Sequence, residues 1–239
     1  MSAELGLSFG NVAATYHRVR PPYSQLLLDR AQEALELDSS ARVLDLAAGT
    51  GRLTQELRRR FAEVVAVEPD ERMRAVDGTA LEGSAEAIPL GGASVDAAFV
   101  GEAFHWFDPK EAIAELARVL RPRGGLAIFW TRWWETEPPL PDAALELLSE
   151  PYERSRPQRR PPWDDAFAES PFEPLCKERA EDDLTVGPDE LLALYSTTSS
   201  LAALQDAERE ALFARVRRVL EGPYRLPVRH ELTWTRLSR

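Results

Sequence analysis

A single cysteine, Cys176, stands in 239 residues, so no disulfide can close within the chain, and no Cys/His cluster has the spacing of zinc ligands. Basic residues are in deficit. The 29 Lys and Arg against 40 Asp and Glu leave a formal charge of −11, which argues against a free-standing nucleic-acid binder. No apolar run approaches the roughly 18 residues that a transmembrane helix needs, and the start of the chain, Met1-Ser-Ala-Glu4, has no basic segment of the kind that opens a secretory leader. These absences together predict a protein of the reducing cytoplasm, with neither nucleic acid, membrane nor metal among its partners. Low complexity is also absent, because 13 Gly and 18 Pro in 239 residues are ordinary for a globular chain.

What is present is an alternation of short β-rich runs and helical patterns over the first 131 residues, the pattern of stacked βαβ units around a parallel sheet. The strands expected are Arg42–Leu46, Val64–Glu68, Ala80–Gly83, Val95–Val100 and Leu126–Thr131. Leu26 to Leu37 reads as an amphipathic helix, and Leu53, Leu57 and Phe61 form another apolar stripe. A further helix opens at Asp108: Asp108 caps, Pro109 suits the first helical position, Glu111 completes a capping box, and Ile113, Leu116 and Leu120 face the core. Beyond Thr131 the composition changes. Nine of the 18 prolines fall between positions 138 and 174, mixed with Trp133, Trp134, Trp163 and the arginines 154, 156, 159 and 160, which reads as an insertion or lid. Two helices follow, one opened by Pro188 and one carrying Leu212, Phe213, Val216, Val219 and Leu220, flanked by strand-like Leu175–Val186 and Val228–Leu237. The expected organisation is one α/β domain over 1–239. It comprises an N-terminal flap and helix (1–40), a core (41–131), an insertion (132–174) and closing helices and strands (175–239).

The most informative segment is Val43-Leu-Asp-Leu-Ala-Ala-Gly-Thr-Gly-Arg-Leu-Thr54, a buried strand, a glycine turn and a helix start. Gly49 and Gly51 let backbone amides approach a ligand, and the helix start favours an anion. Glu68 closes the next strand 19 residues beyond Gly49, the spacing at which an acid reaches ribose hydroxyls. A nucleoside-containing ligand at the carboxyl ends of parallel strands is the consequence. The dinucleotide fingerprint Gly-x-Gly-x-x-Gly ends here on Thr54 where it needs glycine, which disfavours NAD or FAD.

Asp45, Gly49 and Gly51 resemble motif I of the class I S-adenosylmethionine-dependent methyltransferases, and the resemblance continues in chain order. Val65-Ala-Val-Glu68-Pro-Asp is similar to the family's ribose-binding element, and Gly83-Ser-Ala-Glu-Ala-Ile-Pro89 to its adenine loop, with Ser84 in place of the commoner Asp. Val95 to Asp108, ending Phe104-His-Trp-Phe-Asp108, resembles motif IV, and Arg118 to Phe129 the helix-to-strand-5 turn, with Arg123 where glycine is frequent. Together with Tyr16 and the Arg20-Pro-Pro-Tyr23 stretch, these residues are similar to the trans-aconitate-methyltransferase-like, type 11, small-molecule branch. The resemblance implies a Rossmann-like, doubly wound seven-stranded sheet, mostly parallel with an antiparallel last strand and a helical/loop insertion after strand 5. It implies S-adenosylmethionine as cofactor and S-adenosylhomocysteine as product.

The cofactor-binding residues it implies are Asp45, Ala47, Gly49, Gly51, Glu68, Pro69, Ser84, Ala85, Glu86, Gly101 and Phe104. His105 and His17 are candidate bases, and Tyr16, Tyr23 and Trp106 candidate contacts to a small-molecule acceptor, with carboxylate or hydroxyl oxygen favoured. A carboxylate acceptor needs no base; a hydroxyl does. The basic run from Arg154 to Arg160 is a candidate site for an acidic substrate, against the plainer reading of solvated surface. A regulatory protein that binds the same cofactor without turnover is the alternative, and an NAD-dependent oxidoreductase a weaker one. A monomer and a homodimer are both compatible with the sequence.

Overall fold

The computed structural model describes residues 7–134, 138–155 and 162–238; Met1–Glu4 and, of the basic run, Arg156, Arg159 and Arg160 lie outside the described residues. Seven strands form one sheet: β1 (Arg42–Leu46), β2 (Glu63–Glu68), β3 (Leu81–Glu82), β4 (Val95–Gly101), β5 (Leu120–Arg132), β6 (Cys176–Val186) and β7 (Tyr224–Arg236). Their order is β3-β2-β1-β4-β5-β7-β6, parallel except for the antiparallel β7. The α/β fold class with an antiparallel last strand is thus the one expected. In the central register Leu44 lies between Val65 of β2 and Ala98 of β4, so β1 is paired on both edges. That is why Val43-Leu-Asp-Leu46 is wholly buried and nearly all apolar.

The helices are α1 (Ala13–Val19), α2 (Gln25–Ala34), α3 (Arg52–Arg58), α4 (Glu71–Asp77), α5 (Pro109–Val119), α6 (Asp142–Ser155), α7 (Pro188–Tyr195), α8 (Ser199–Ala202) and α9 (Asp206–Arg217). The chain divides into two compact units. A sheet unit comprises Tyr23–Thr131, Arg160–Ala180 and His230–Arg239, and a helical unit Met1–Pro22, Arg132–Arg159 and Glu181–Arg229. Each has its own apolar core. In the sheet unit one cluster joins Leu46, Val67, Val100 and Ile128 to Leu116 of α5, and another joins Val43, Phe99 and Phe129 to Leu27 and Leu28 of α2 and Leu53 and Leu57 of α3. In the helical unit Trp133, Leu148, Leu191, Leu194, Val216 and Leu226 pack together. Each fully buried leucine of this kind contributes about 1.5–3 kcal/mol relative to exposure.

Local chemistry differs from expectation at two places, the cap of α5 and the start of β5. The capping box on α5 is half formed: the Asp108 carboxylate accepts from the Lys110 and Glu111 amides at 3.0 and 3.2 Å, but its own N–H donates to Glu86 Oε1 at 2.9 Å, not to Glu111. A carboxylate 22 residues upstream performs the task that a local one does in the usual motif. Strand β5 begins at Leu120, six residues before the expected Leu126, because Leu120 already pairs with Val95 and a register shift then absorbs the turn. Within that turn Arg123 sits at φ 66°, the left-handed region in which glycine is cheapest. The proline-rich stretch contains a helix, α6, with Pro151 inside it.

Candidate functional site

The turn after β1 fixes the geometry. Ala47 and Gly49 both have φ of 57° and Gly51 has 78°, so three residues in five are left-handed and the chain doubles back tightly. A Cβ on Gly51 would come within 2.7 Å of Asp77 Cβ, so bulk as well as backbone conformation excludes larger residues there, while at Gly49, where a Cβ would lie 3.3 Å from Met73 Cε, the left-handed backbone is the main constraint. The Gly49 N–H donates to Glu68 Oε2 at 2.8 Å, and the Asp70 N–H donates to Glu68 Oε1 at 2.9 Å. Two backbone donors therefore hold the β2 carboxylate beside the β1 turn. A carboxylate accepts about four hydrogen bonds, so Glu68 keeps acceptor capacity for a ligand.

Asp45 is wholly buried near the end of β1. Thr54 Oγ1 donates to its Oδ2 at 2.6 Å, while Oδ1 has no partner among the described residues. Burial pushes the Asp45 carboxyl up to about 7, against the Thr54 hydrogen bond, which lowers it; the neighbouring Glu68 and Asp77 carboxylates add to the rise. Burial also raises Glu68, opposed by its two backbone donors. Thr54, the residue that breaks the dinucleotide fingerprint, is thus the donor that holds the site's most deeply buried acid. The pattern Asp45…Thr54, nine apart, is the signal that would have found it.

On the far side of β2, Ser84 and Ala87 form an antiparallel bridge, which makes Gly83–Pro89 a tight loop. Glu115 Oε2 accepts from the Ile88 N–H at 2.8 Å, and Arg118 donates to Ile88 O at 2.9 Å and Leu90 O at 2.7 Å. The Arg118 guanidinium beside Glu115 holds that carboxyl below its ordinary range. Ala85 is buried, Glu86 half-buried and tied to Asp108, and Pro69 exposed with its carbonyl accepting from Arg74 at 2.7 Å.

At the carboxyl end of β4, a Cβ on Gly101 would overlap the Tyr23 hydroxyl, so Tyr23 and the β4 terminus meet only because position 101 is glycine. Phe104 has no exposed surface and packs against Phe107, Trp163 and Phe167. His105 is exposed, its ring 4.4 Å from Trp106 and 5.3 Å from Trp130 by centroid. Glu102, which sequence reasoning passed over, sits at φ 61°, and its carboxylate accepts from the Thr131 N–H; Thr131 Oγ1 lies 3.4 Å from Nδ1 of the buried His230. No sequence signal marks that long-range group.

The remaining candidates belong to the helical unit. Tyr16 and His17 lie on α1, and Arg20 stacks over the Tyr16 ring at 4.7 Å. Arg154 of the basic run pairs with Glu208 at 2.7 Å. Among the described residues there is no group of three side chains suited to a metal ion and no helix long and apolar enough to cross a membrane.

Comparisons with known proteins agree with this geometry. A family model described as a methyltransferase domain matches residues 44–128, the span from β1 through most of β5. An uncharacterized methyltransferase of Mycobacterium tuberculosis is 46% identical over 133 residues, 53% of this chain and 53% of the relative. A malonyl-[acyl-carrier protein] O-methyltransferase of Methylococcus capsulatus is 38% identical over 136 residues, 52% of this chain and 50% of the relative. The chain thus spans about half the length of the curated relatives it matches. In fold, a protein named as a type II methyltransferase of Anaeromyxobacter dehalogenans superposes with a TM-score of 0.60 over 91% of this chain and 97% of that one, at 24% identity. Residues 44–128 are thus similar to a methyltransferase domain, and the seven-stranded sheet with its antiparallel β7 has the fold of the solved methyltransferase structure.

Proposed function

We propose that the chain transfers the methyl group of S-adenosylmethionine to an oxygen of a small-molecule acceptor, a carboxylate or a hydroxyl, in the cytoplasm. The observation that carries the reading is Asp45: a wholly buried carboxylate with one oxygen held by Thr54 and the other unpartnered among the described residues, beside a left-handed glycine turn. A buried acceptor left unmade is costly, and the ammonium at the methionine end of the cofactor satisfies it. The residues present therefore fit the group. Asp45 binds that ammonium; Ala47, Gly49 and Gly51 form the turn that approaches the amino-acid end. Glu68, already fixed by two amides, accepts from the ribose hydroxyls, with Pro69 shaping the exit of β2. Ala85 offers its N–H to the adenine, Ser84 its hydroxyl, and Glu86 holds the loop through Asp108. Gly101 clears space at the β4 terminus, and Phe104 supports it from the core.

When bound, S-adenosylmethionine supplies a methyl group already activated by its sulfonium, so the protein's part is to orient the acceptor and exclude water. Tyr23 and Trp106 are proposed to contact the acceptor. His105 takes a proton only where the acceptor is a hydroxyl. Support for an oxygen acceptor comes from the similarity to the malonyl-[acyl-carrier protein] O-methyltransferase, and support for the cytoplasm from the single cysteine. The test is calorimetric binding of S-adenosylhomocysteine, followed by transfer of label from S-adenosylmethionine to a panel of carboxylic and hydroxy acids, with Gly49→Val as control. Labelled ester or ether, absent in the control, is expected. Binding without transfer to any acceptor would favour the regulatory reading, and no binding would overturn both.

A further inference from the structure

We propose that the helical unit carries a second ligand site, a recess for a monocarboxylate with an apolar body, independent of the methyltransferase reading. α1 with the two residues before it, α7 and α9 line an open recess of about 370 Å³, a size within the range of small-molecule sites. Val12, Leu192 and Phe213 give it an apolar floor, and Thr15, Arg18 and Arg209 a polar rim.

The charges on that rim do not cancel. Arg209 is anchored by Asp206 and by donation to Leu204 O at 3.2 Å, and the one lining acid, Asp189, is neutralised by Arg217 at 2.9 Å. Arg18 is exposed and makes no ion pair with a described residue. Its place in the last turn of α1 suits the helix dipole, which accounts for a basic residue there but not for the apolar floor beneath it. A guanidinium without an ion-pair partner among the described residues, at the rim of a recess that Val12, Leu192 and Phe213 line with apolar surface, fits an anionic head on a hydrophobic tail. Ser196 lines the same recess, but its hydroxyl is spent on Ala193 O at 2.7 Å. Recognition of the head therefore falls to Arg18, with Arg209 beside it.

The probe is octanoate, titrated by calorimetry into the full chain, with inorganic phosphate as a charge-only comparison. Arg18→Glu reverses the rim charge at an exposed position, Ala193→Leu fills the recess, and Arg225→Glu makes the same charge change elsewhere in the unit. Saturable octanoate binding at one site is expected, weakened roughly tenfold or more by Arg18→Glu and by Ala193→Leu and unchanged in Arg225→Glu. Phosphate is expected not to bind. No saturable binding, equal affinity in Arg18→Glu, or phosphate binding as tightly as octanoate would each overturn the proposal. Should Ala193→Leu fail to fold, Arg18→Glu decides alone. S-adenosylhomocysteine binding, measured on the same samples, reports separately on the methyltransferase reading.

Discussion

The two units treat their buried polar groups differently. In the helical unit Ser196 and Thr197 turn their hydroxyls onto the carbonyls of Ala193 and Leu194, at 2.7 and 2.6 Å, and Arg20 closes on Thr197 through both its hydroxyl and its carbonyl. In the sheet unit Asp45 keeps an oxygen without a partner among the described residues, and Glu68 retains acceptor capacity after two backbone bonds. At these four positions the hydroxyls of the helical unit are closed within the chain, whereas the carboxylates proposed to serve a ligand are positioned by it and left with a valence to fill. Substitutions in the two units should therefore differ in kind as well as in size.

The largest effect is expected from Gly51→Val. At φ 78° and 2.7 Å from Asp77 Cβ, the valine meets both strain and overlap, and denaturant unfolding should show a loss of about 3–4 kcal/mol. Next comes Arg20→Ala in the helical unit, which removes two charge-assisted hydrogen bonds to Thr197 and the stacking over Tyr16 and Trp133. A loss of about 2–3 kcal/mol is expected with no change in how stability varies with pH; a changed pH profile would break the contrast between the units.

Asp45→Asn sharpens it. Because burial raises the folded-state pKa of Asp45 to about 7 from its ordinary value of 3.8, its contribution to stability is fully present below the unfolded value and is lost as pH rises through about 7. The asparagine removes that slope. Thermal melts between pH 5 and 8 should show a ligand-free variant more stable than the parent at the alkaline end, by about 2 kcal/mol. The smallest effect is expected from Glu86→Ala, which frees the Asp108 N–H and should cost about 1 kcal/mol by the same melts.

Much of the sheet unit was readable in the sequence, because its information is local. Arg42–Leu46 forms the strand expected, since a parallel strand paired on both sides must be a short apolar run. The Asp108-Pro109 start of α5 is equally local. What escaped depends on contacts far apart in the chain. Glu86 replacing Glu111 at the α5 cap, and Glu102 reaching Thr131, join residues 22 and 29 positions apart. The early start of β5 escaped because it lies within what resembles a helix-to-strand turn, whereas pairing of Leu120 with Val95 and the left-handed Arg123 carry the ladder through it. In the helical unit, helix within the insertion is as expected, but the prolines, of which Pro151 lies inside α6, leave its bounds unmarked. Thr54 was read only as a missing glycine, and the structure shows it holding Asp45.

The central claim is that Asp45 is the ionised partner of the cofactor's ammonium, and the pH dependence of S-adenosylhomocysteine affinity tests it most directly. Below about pH 7 the ligand-free carboxyl is protonated and must lose its proton on binding, so affinity measured by calorimetry from pH 5.5 to 7.5 should rise by up to tenfold per unit and level off near pH 7. Asp45→Asn should bind at least about a hundredfold more weakly at pH 7.5, with no such rise. Parent-like affinity in Asp45→Asn, or a parent affinity independent of pH over this range, would contradict the account.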